Sequence, residues 1–342
     1  MMKTKILTEN EIAFAAEQLK RGQLIAFPTE TVYGLGADAT NEEAVKQVYL
    51  AKGRPSDNPL IVHVASVEGV RPFVDEIPEK ALKLMTYFWP GPLTIILKIK
   101  VNGQLSKSVT GGLDTVAFRM PNHPLTLELI EKSGTVLVGP SANSSGKPSP
   151  TMAEHVHHDL AGKICGILDG GMSQVGIEST VIDLSEPDGI PLILRPGAVT
   201  KNQLEAVIGT VAFDQHLVGE NETPKAPGMK YKHYSPDTPV LMVRDGDWAE
   251  AIKAYQNKKI GLLANKIRIN QFKNQFSASF MLSETGEIDE AMRQLFAGLR
   301  ALDEADVDLI LVEAYDNQDV ELAYMNRLEK AAGKQYFETI PH

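Results

Sequence analysis

Lys52 and Arg54 stand two apart in "KGRPSDNPL", after a helix-like stretch and before a strand-like one. Lysine offers a point charge and arginine a planar fork, the usual pair for a polyphosphate. Pro55 and Pro59 stiffen the loop, so both cations and Asn58 are presented at low entropic cost. A solvated helix end also collects cations, because they suit its dipole; the two prolines favour the phosphate reading. A second cluster is "VGPSANSSGKPSP", residues 138–150. Its Ser141, Asn143, Ser144, Ser145 and Ser149 can aim hydroxyl and amide groups at one ligand. It runs into a helix start, where backbone N–H groups favour anions. Plain Ser-Gly-Pro turns with a helix cap would account for the same composition.

Arg119, in "VAFRMPNHP", lies on a short strand between Phe118 and Met120, where an arginine needs a partner or an anionic ligand. His63, in "LIVHV", alternates onto the face of Ile61 and Ala65; a lone strand histidine is more often a structural hydrogen bonder than a ligand. "FPTETVYGLGADA" places Pro28, Thr29, Glu30 and Thr31 at a strand's end. Gly34 and Gly36 there permit close backbone approach to a ligand, although this stretch taken alone reads better as a plain turn with Tyr33 as a core aromatic. Ser179 and Thr180 add hydroxyls, and Arg195 a further cation before a turn. Taken together, Lys, Arg, Asn, Ser and Thr with few acids suit a polyphosphate whose Mg²⁺ arrives with the nucleotide, and no metal cage of protein side chains is visible. The sequence contains no G-x-x-x-x-G-K-[ST], HExxH or G-x-S-x-G.

The elements that must position these residues alternate along the first two thirds of the chain. "EIAFAAEQLKRG", "PEKALKLMTYF" and "PLTLELIEKSG" read as helices, and "QLIAF", "NPLIVHVAS", "LTIILKIK", "DTVAFRM" and "TVLVGPS" as strands. Thr40 with Glu43, and Thr151 with Glu154, have capping-box spacing. "ICGILDGG", "GIESTVIDL" and "PLILRPG" follow in quick succession, which predicts an α+β sheet containing antiparallel pairs. A stretch of roughly 30 residues after Val207 has no clear period and is far longer than an ordinary loop. Beyond it, "PVLMVR", "DWAEAIKAYQN", "KIGLLAN", "EIDEAMRQLFAGLRALDEA", "VDLILVEA" and "VELAYMNRLEKAAG" predict a small Rossmann-like three-layer α/β domain without a glycine-rich dinucleotide fingerprint. The expected division is 1–208, a connector over 209–236, and 237–342.

Bulk properties narrow the class. The chain has 342 residues, 43% of them hydrophobic and 23% charged, which is ordinary for a globular protein. Cys165 is its one cysteine, so a disulfide framework and a cysteine zinc site are excluded and a reducing compartment, the cytoplasm, is expected. The first residues lack the apolar core of a signal peptide, and no apolar run is long enough to span a membrane. The net charge is -10, and neither half has the basic excess of a protein that grips nucleic acid by its phosphates.

"KRGQLIAFPTETVYGLGADA", "KGRPSDNPLIVHV", "FWPGPLTIIL", "VAFRMPNHP", "GPSANSSGKPSPT", "GIESTVIDL" and "ILRPGAV" resemble, in order, the YrdC-like family of threonylcarbamoyl-AMP synthases. The resemblance covers about residues 8–207, and "APGMKYKHYSP" with "MNRLEKAAG" looks like the long, two-domain form. It implies a twisted mixed sheet with a concave face. It also implies a reaction: L-threonine, bicarbonate and ATP give threonylcarbamoyl-AMP and pyrophosphate, and other proteins pass the threonylcarbamoyl group to tRNA. By the same resemblance Thr31, His63, Arg119 and Ser179 hold threonine, with Arg119 on its carboxylate. Lys52, Arg54, Asn58, Thr115, Ser141, Asn143, Ser149 and Arg195 hold ATP, Lys52 and Arg54 being the catalytic cations, with Mg²⁺ on the phosphates. Tyr231 is expected to touch the nucleotide from the connector, acting as a lid. Two other classes compete. An RNA-binding module of the same fold is disfavoured by the acidic total and the lack of stacking aromatics. A carbamoyl-transfer enzyme of the hydrogenase-maturation kind needs zinc-finger cysteines that the chain lacks.

Overall fold

A computed structural model describes residues 3–100, 104–215, 223–226, 233–316 and 318–338. The chain divides into two compact units. The first comprises 1–145, 150–174 and 178–231; the second comprises 146–149, 175–177 and 232–342.

Among the described residues of the first unit, eleven strands form one mixed sheet. They are β1 Lys5–Leu7, β2 Ile25–Phe27, β3 Gly34–Asp38, β4 Ile61–His63, β5 Leu93–Lys98, β6 Thr115–Arg119, β7 Leu137–Val138, β8 Gly166–Leu168, β9 Thr180–Asp183, β10 Leu192–Arg195 and β11 Ala212–Phe213. Their order is β1-β8-β2-β3-β7-β4-β6-β5-β9-β10-β11. Antiparallel pairs are present, as expected of a mixed sheet: β2 with β3, β3 with β7, β4 with β7, β5 with β6, and β9 with β10. Of the three strands in quick succession only β9 and β10 pair in this way; β8 runs parallel to β1 and β2. Strand side chains alternate between the two faces, and the core follows. Ile25 and Phe27 pack with helices Ile12–Lys20 and Pro124–Ser133 on one face. Ala26 packs on the other, with helices Glu42–Lys52, Glu79–Phe88, Ala153–Leu160 and Lys201–Ile208.

Gly34 and Gly36 lie within β3: a Cβ on Gly34 would stand 2.7 Å from the Phe27 ring, so the glycines make room for that core aromatic, and Tyr33 is fully buried beside them. Two helix-start expectations change. The helix Glu42–Lys52 is capped by Asn41, whose side chain accepts from the amides of Glu43 and Ala44. Thr40 instead donates to Asp38 at 2.7 Å. At the other expected box the Thr151 amide donates to His155 Nδ1 at 3.2 Å. The ring of the helix's own third residue thus takes the place given to Glu154. The Thr200 box ahead of Lys201–Ile208 is complete.

The second unit holds a parallel sheet in the order β12-β15-β13-β14, with β12 Val240–Val243, β13 Ile260–Ala264, β14 Ala278–Met281 and β15 Leu309–Glu313. The two central strands, β13 and β15, are buried along their whole length, as parallel strands flanked by helices must be. Trp248, Ala251 and Ile252, from the helix Trp248–Ala254, complete one side of the core. Within this unit Arg300 donates to the Pro148 carbonyl at 2.6 Å, and Lys147 pairs with Asp237 at 2.5 Å.

Candidate functional site

Period-two geometry decides which residues share a face. In β4 and β6 the partners His63 and Arg119 stand side by side, as do Ile61 and Ala117. Across β6 and β5, Ala117 opposes Ile96 and Thr115 opposes Lys98. Thr94 of β5 opposes Val181 of β9. One face of this part of the sheet therefore carries His63, Arg119, Thr115 and Thr94. Its apolar floor is small, consisting of Ile61, Ile96, Ala117, Val181 and Ala226.

Arg195 joins this face through an irregularity. The register between β10 and β9 shifts between Ile193 and Arg195, so that Arg195 pairs with Val181. A bulge of this kind re-aims a side chain. Here it lets Arg195 donate to the Ser179 carbonyl at 3.0 Å and to Ser179 Oγ at 3.1 Å. Ser179 Oγ lies 2.7 Å from Thr94 Oγ1, and both are fully buried.

Arg119 is bound along its edges. Its Nη1 donates to Thr31 Oγ1 at 2.8 Å and its Nε to the Gly91 carbonyl at 3.3 Å. Its Nη2 stands 2.8 Å from Glu30 Oε2. That contact is an ion pair whose angle falls outside hydrogen-bond geometry, since among the described residues neither Nη2 nor either Glu30 oxygen has an in-line partner. The anionic partner that an arginine on this strand requires thus comes first from the chain itself. Glu30 was quoted in the sequence motif but given no part in the site. It hides in a run of turn residues, and only the fold reveals its 5% exposure.

His63 is enclosed. Its ring meets Phe27 edge-on, and a Cβ on Gly139 would come 2.5 Å from its Nδ1, so only glycine leaves room for it there. Burial first, and the Arg119 charge second, push its pKa down to about 3. His63 is neutral in the folded protein at any physiological pH. The unfolded histidine titrates near 6.5. Below that pH the unfolded state binds a proton that the folded state refuses, so the stability present above pH 6.5 is lost as pH falls toward 3. We expect the stability contribution to fall by about 1.4 kcal/mol per pH unit in that window. His63→Asn should flatten the dependence in urea melts at stepped pH; an unchanged slope would show that His63 is not its source.

The cation and serine motifs meet in one clamp. Lys52 ends the helix Glu42–Lys52, and its ammonium donates to the carbonyls of Ser141 at 2.5 Å and Asn143 at 2.7 Å. The Lys52 carbonyl accepts from the Ser145 amide at 2.8 Å. Lys52 is 4% exposed, which sets aside the solvated helix end. Arg54 curls over its own loop to the carbonyls of Asn58 and Pro59. Asn58 is buried, and its Oδ1 has no in-line donor among the described residues. Thr115 is buried on the polar face. Ser149 is buried too, within the 146–149 segment that groups with the second unit.

The connector reaches this face at one described point. Ala226 is fully buried on the apolar floor, and Lys225 pairs with Asp183 at 3.2 Å. Tyr231, the nucleotide contact expected from the connector, lies outside the described residues. Among the described residues no group of three or more His, Cys, Asp or Glu is placed to hold a metal ion, and no helix is long and apolar enough to cross a membrane.

Comparison with known proteins gives a consistent result. A family model described as "Telomere recombination" matches residues 17–197, and one described as "Threonylcarbamoyl-AMP synthase, C-terminal domain" matches residues 199–333. The chain is 49% identical to the threonylcarbamoyl-AMP synthase of Bacillus subtilis, over 94% of this chain and 93% of that one. It is 46% identical to that of Pyrococcus abyssi, over 96% and 95%. A crystal structure of Pyrococcus abyssi Sua5 complexed with L-threonine superposes with a TM-score of 0.90 at 43% identity, covering 98% of this chain and all of that one.

Proposed function

The chain belongs to the family of threonylcarbamoyl-AMP synthases, which are nucleotidyltransferases, and from that premise we propose how its polar face performs the synthesis. L-Threonine, bicarbonate and ATP are joined to threonylcarbamoyl-AMP with release of pyrophosphate. The observation that carries the reading is the meeting of two of the stretches that carry the resemblance: Lys52 of "KGRPSDNPLIVHV" holds the backbone of Ser141 and Asn143 of "GPSANSSGKPSPT", in a fold shared with a threonine-bound relative. Relatives named for this synthesis over nearly the whole chain set aside the RNA-binding alternative.

The chemistry asks little covalent work of the protein. The threonine amine becomes a carbamate, a carbamate oxygen attacks the α-phosphorus of ATP, and pyrophosphate leaves. Catalysis of such a step is mostly positioning and charge neutralisation. Thr31, His63, Arg119 and Ser179 surround threonine. Lys52, Arg54, Asn58, Thr115, Ser141, Asn143, Ser149 and Arg195 serve ATP, with Lys52 fixing the serine loop and Arg54 meeting phosphate. Neutral His63 serves as a shaped hydrogen bonder, and its low pKa removes it as a proton donor. The donor set on this face does not fit a metal held by protein, so Mg²⁺ enters on the ATP phosphates. We assign 1–208 to catalysis, 209–236 to a connector that closes over the face, and 237–342 to a second domain. The setting is the cytoplasm, and a transferase acting on tRNA takes the product.

The test is pyrophosphate release from ATP in the presence of bicarbonate and each amino acid in turn. Release should require threonine and bicarbonate. Equal release with threonine omitted would overturn the assignment.

A further inference from the structure

We propose that Glu30 is the carboxylate that receives the α-ammonium of the amino-acid substrate. This rests on the reading of the chain as a threonine-using synthase. Threonine enters as a zwitterion, and the residues assigned to it by motif are hydroxyls, a neutral imidazole and a cation. None of these is an anion that could match the ammonium.

Glu30 is placed to supply one. It is 5% exposed. Its neighbours hold it in a rigid turn: the Thr29 hydroxyl donates to the Val32 carbonyl at 2.6 Å, and accepts from the amides of Thr31 and Val32 at 3.2 Å. A carboxylate has about four acceptor positions, and buried acceptors are nearly always filled. Yet among the described residues neither Glu30 oxygen has an in-line donor, in spite of the Arg119 guanidinium 2.8 Å away. Arg119 cannot turn to meet it without giving up Thr31 and Gly91.

Charge agrees with this geometry. His63 and His123, the other titratable groups nearby, are both biased toward the neutral form by burial. Glu30 and Arg119 together form a fixed, neutral dipole. A zwitterion laid against it adds no net charge: its ammonium faces Glu30 and its carboxylate faces the cationic side. Three ammonium donors match the open acceptor positions, and charge-assisted bonds of this kind are the strong ones. The same contact selects a free amine over an acylated or hydroxylated analogue.

Titration calorimetry on the full chain tests it, with L-threonine and with 2,3-dihydroxybutanoate, in which a hydroxyl replaces the ammonium. The wild type should prefer threonine by about a hundredfold or more, as sites built around a specific polar group do. In Glu30→Gln that preference should shrink to less than about tenfold through weaker threonine binding, with ATP affinity unchanged. A purely structural Glu30 would weaken both ligands in proportion and leave the ratio intact, which overturns the proposal. Should Glu30→Gln not fold, Glu30→Asp keeps the charge but withdraws it; there too threonine alone should weaken, and an intact ratio overturns. A wild type that binds no threonine would instead sink the synthase reading itself.

Discussion

Replacing Lys52 with methionine should lower turnover on the order of a hundredfold while leaving a folded protein. The side chain keeps its stem and loses only its ammonium. That ammonium is buried and donates to the Ser141 and Asn143 carbonyls. Orphaning a buried acceptor costs about 1–3 kcal/mol, and each 1.4 kcal/mol taken from transition-state stabilisation is about tenfold in rate. The loss is expected in both stability and rate, because the same group fixes the loop and sets its charge. Lys52→Arg should not restore activity, since a planar fork cannot serve carbonyls arranged around a point donor. Urea melts paired with pyrophosphate-release assays measure both quantities. Wild-type turnover in folded Lys52→Met would return this residue to an ordinary helix end.

Part of the candidate site was legible, and the reason is local. Lys52 and Arg54 stand two apart where a helix ends, and the serines share one loop, so composition and spacing pointed to an anion, whereas the division of residues between threonine and ATP came from the family resemblance. The mixed sheet was legible in part: β9 and β10 follow closely and pair antiparallel, but β8, just before them in sequence, runs parallel to β1 and β2 at the far side of the sheet. What escaped depends on contacts between distant segments. The register shift in β10 that turns Arg195 toward Ser179 leaves no mark in "LILRPG". The stretch around Gly34 and Gly36 read as a turn with a core aromatic, but the aromatic the glycines make room for, the ring of Phe27, lies on the neighbouring strand. Asn41 outcompeted Thr40 as the cap because Thr40 was already bound to Asp38. Glu30 sat among turn residues, and only the strand order β2-β3-β7-β4-β6, with long-range pairings at every step after β3, brings Arg119 within reach of it.

Arg119→Ala should give the largest stability loss of any single change on this face, about 3–5 kcal/mol. The mechanism is the charge left behind. Arg119 and Glu30 are both about nine-tenths buried or more, with the guanidinium 2.8 Å from the carboxylate. Removing the cation leaves a buried anion without its partner, and Thr31 Oγ1 loses its donor as well. Glu30→Gln in the same chain removes the stranded charge. The double variant Glu30→Gln/Arg119→Ala should then be more stable than Arg119→Ala alone at neutral pH. In enzyme assays Arg119→Ala should raise the KM for threonine far more than that for ATP, because its contacts, Thr31 and Glu30, lie on the amino-acid side of the face. Urea melts of the four-member cycle at neutral pH measure the coupling. A loss under about 1 kcal/mol would mean that the pair is too well solvated to matter, and the amino-acid side would need a different anchor.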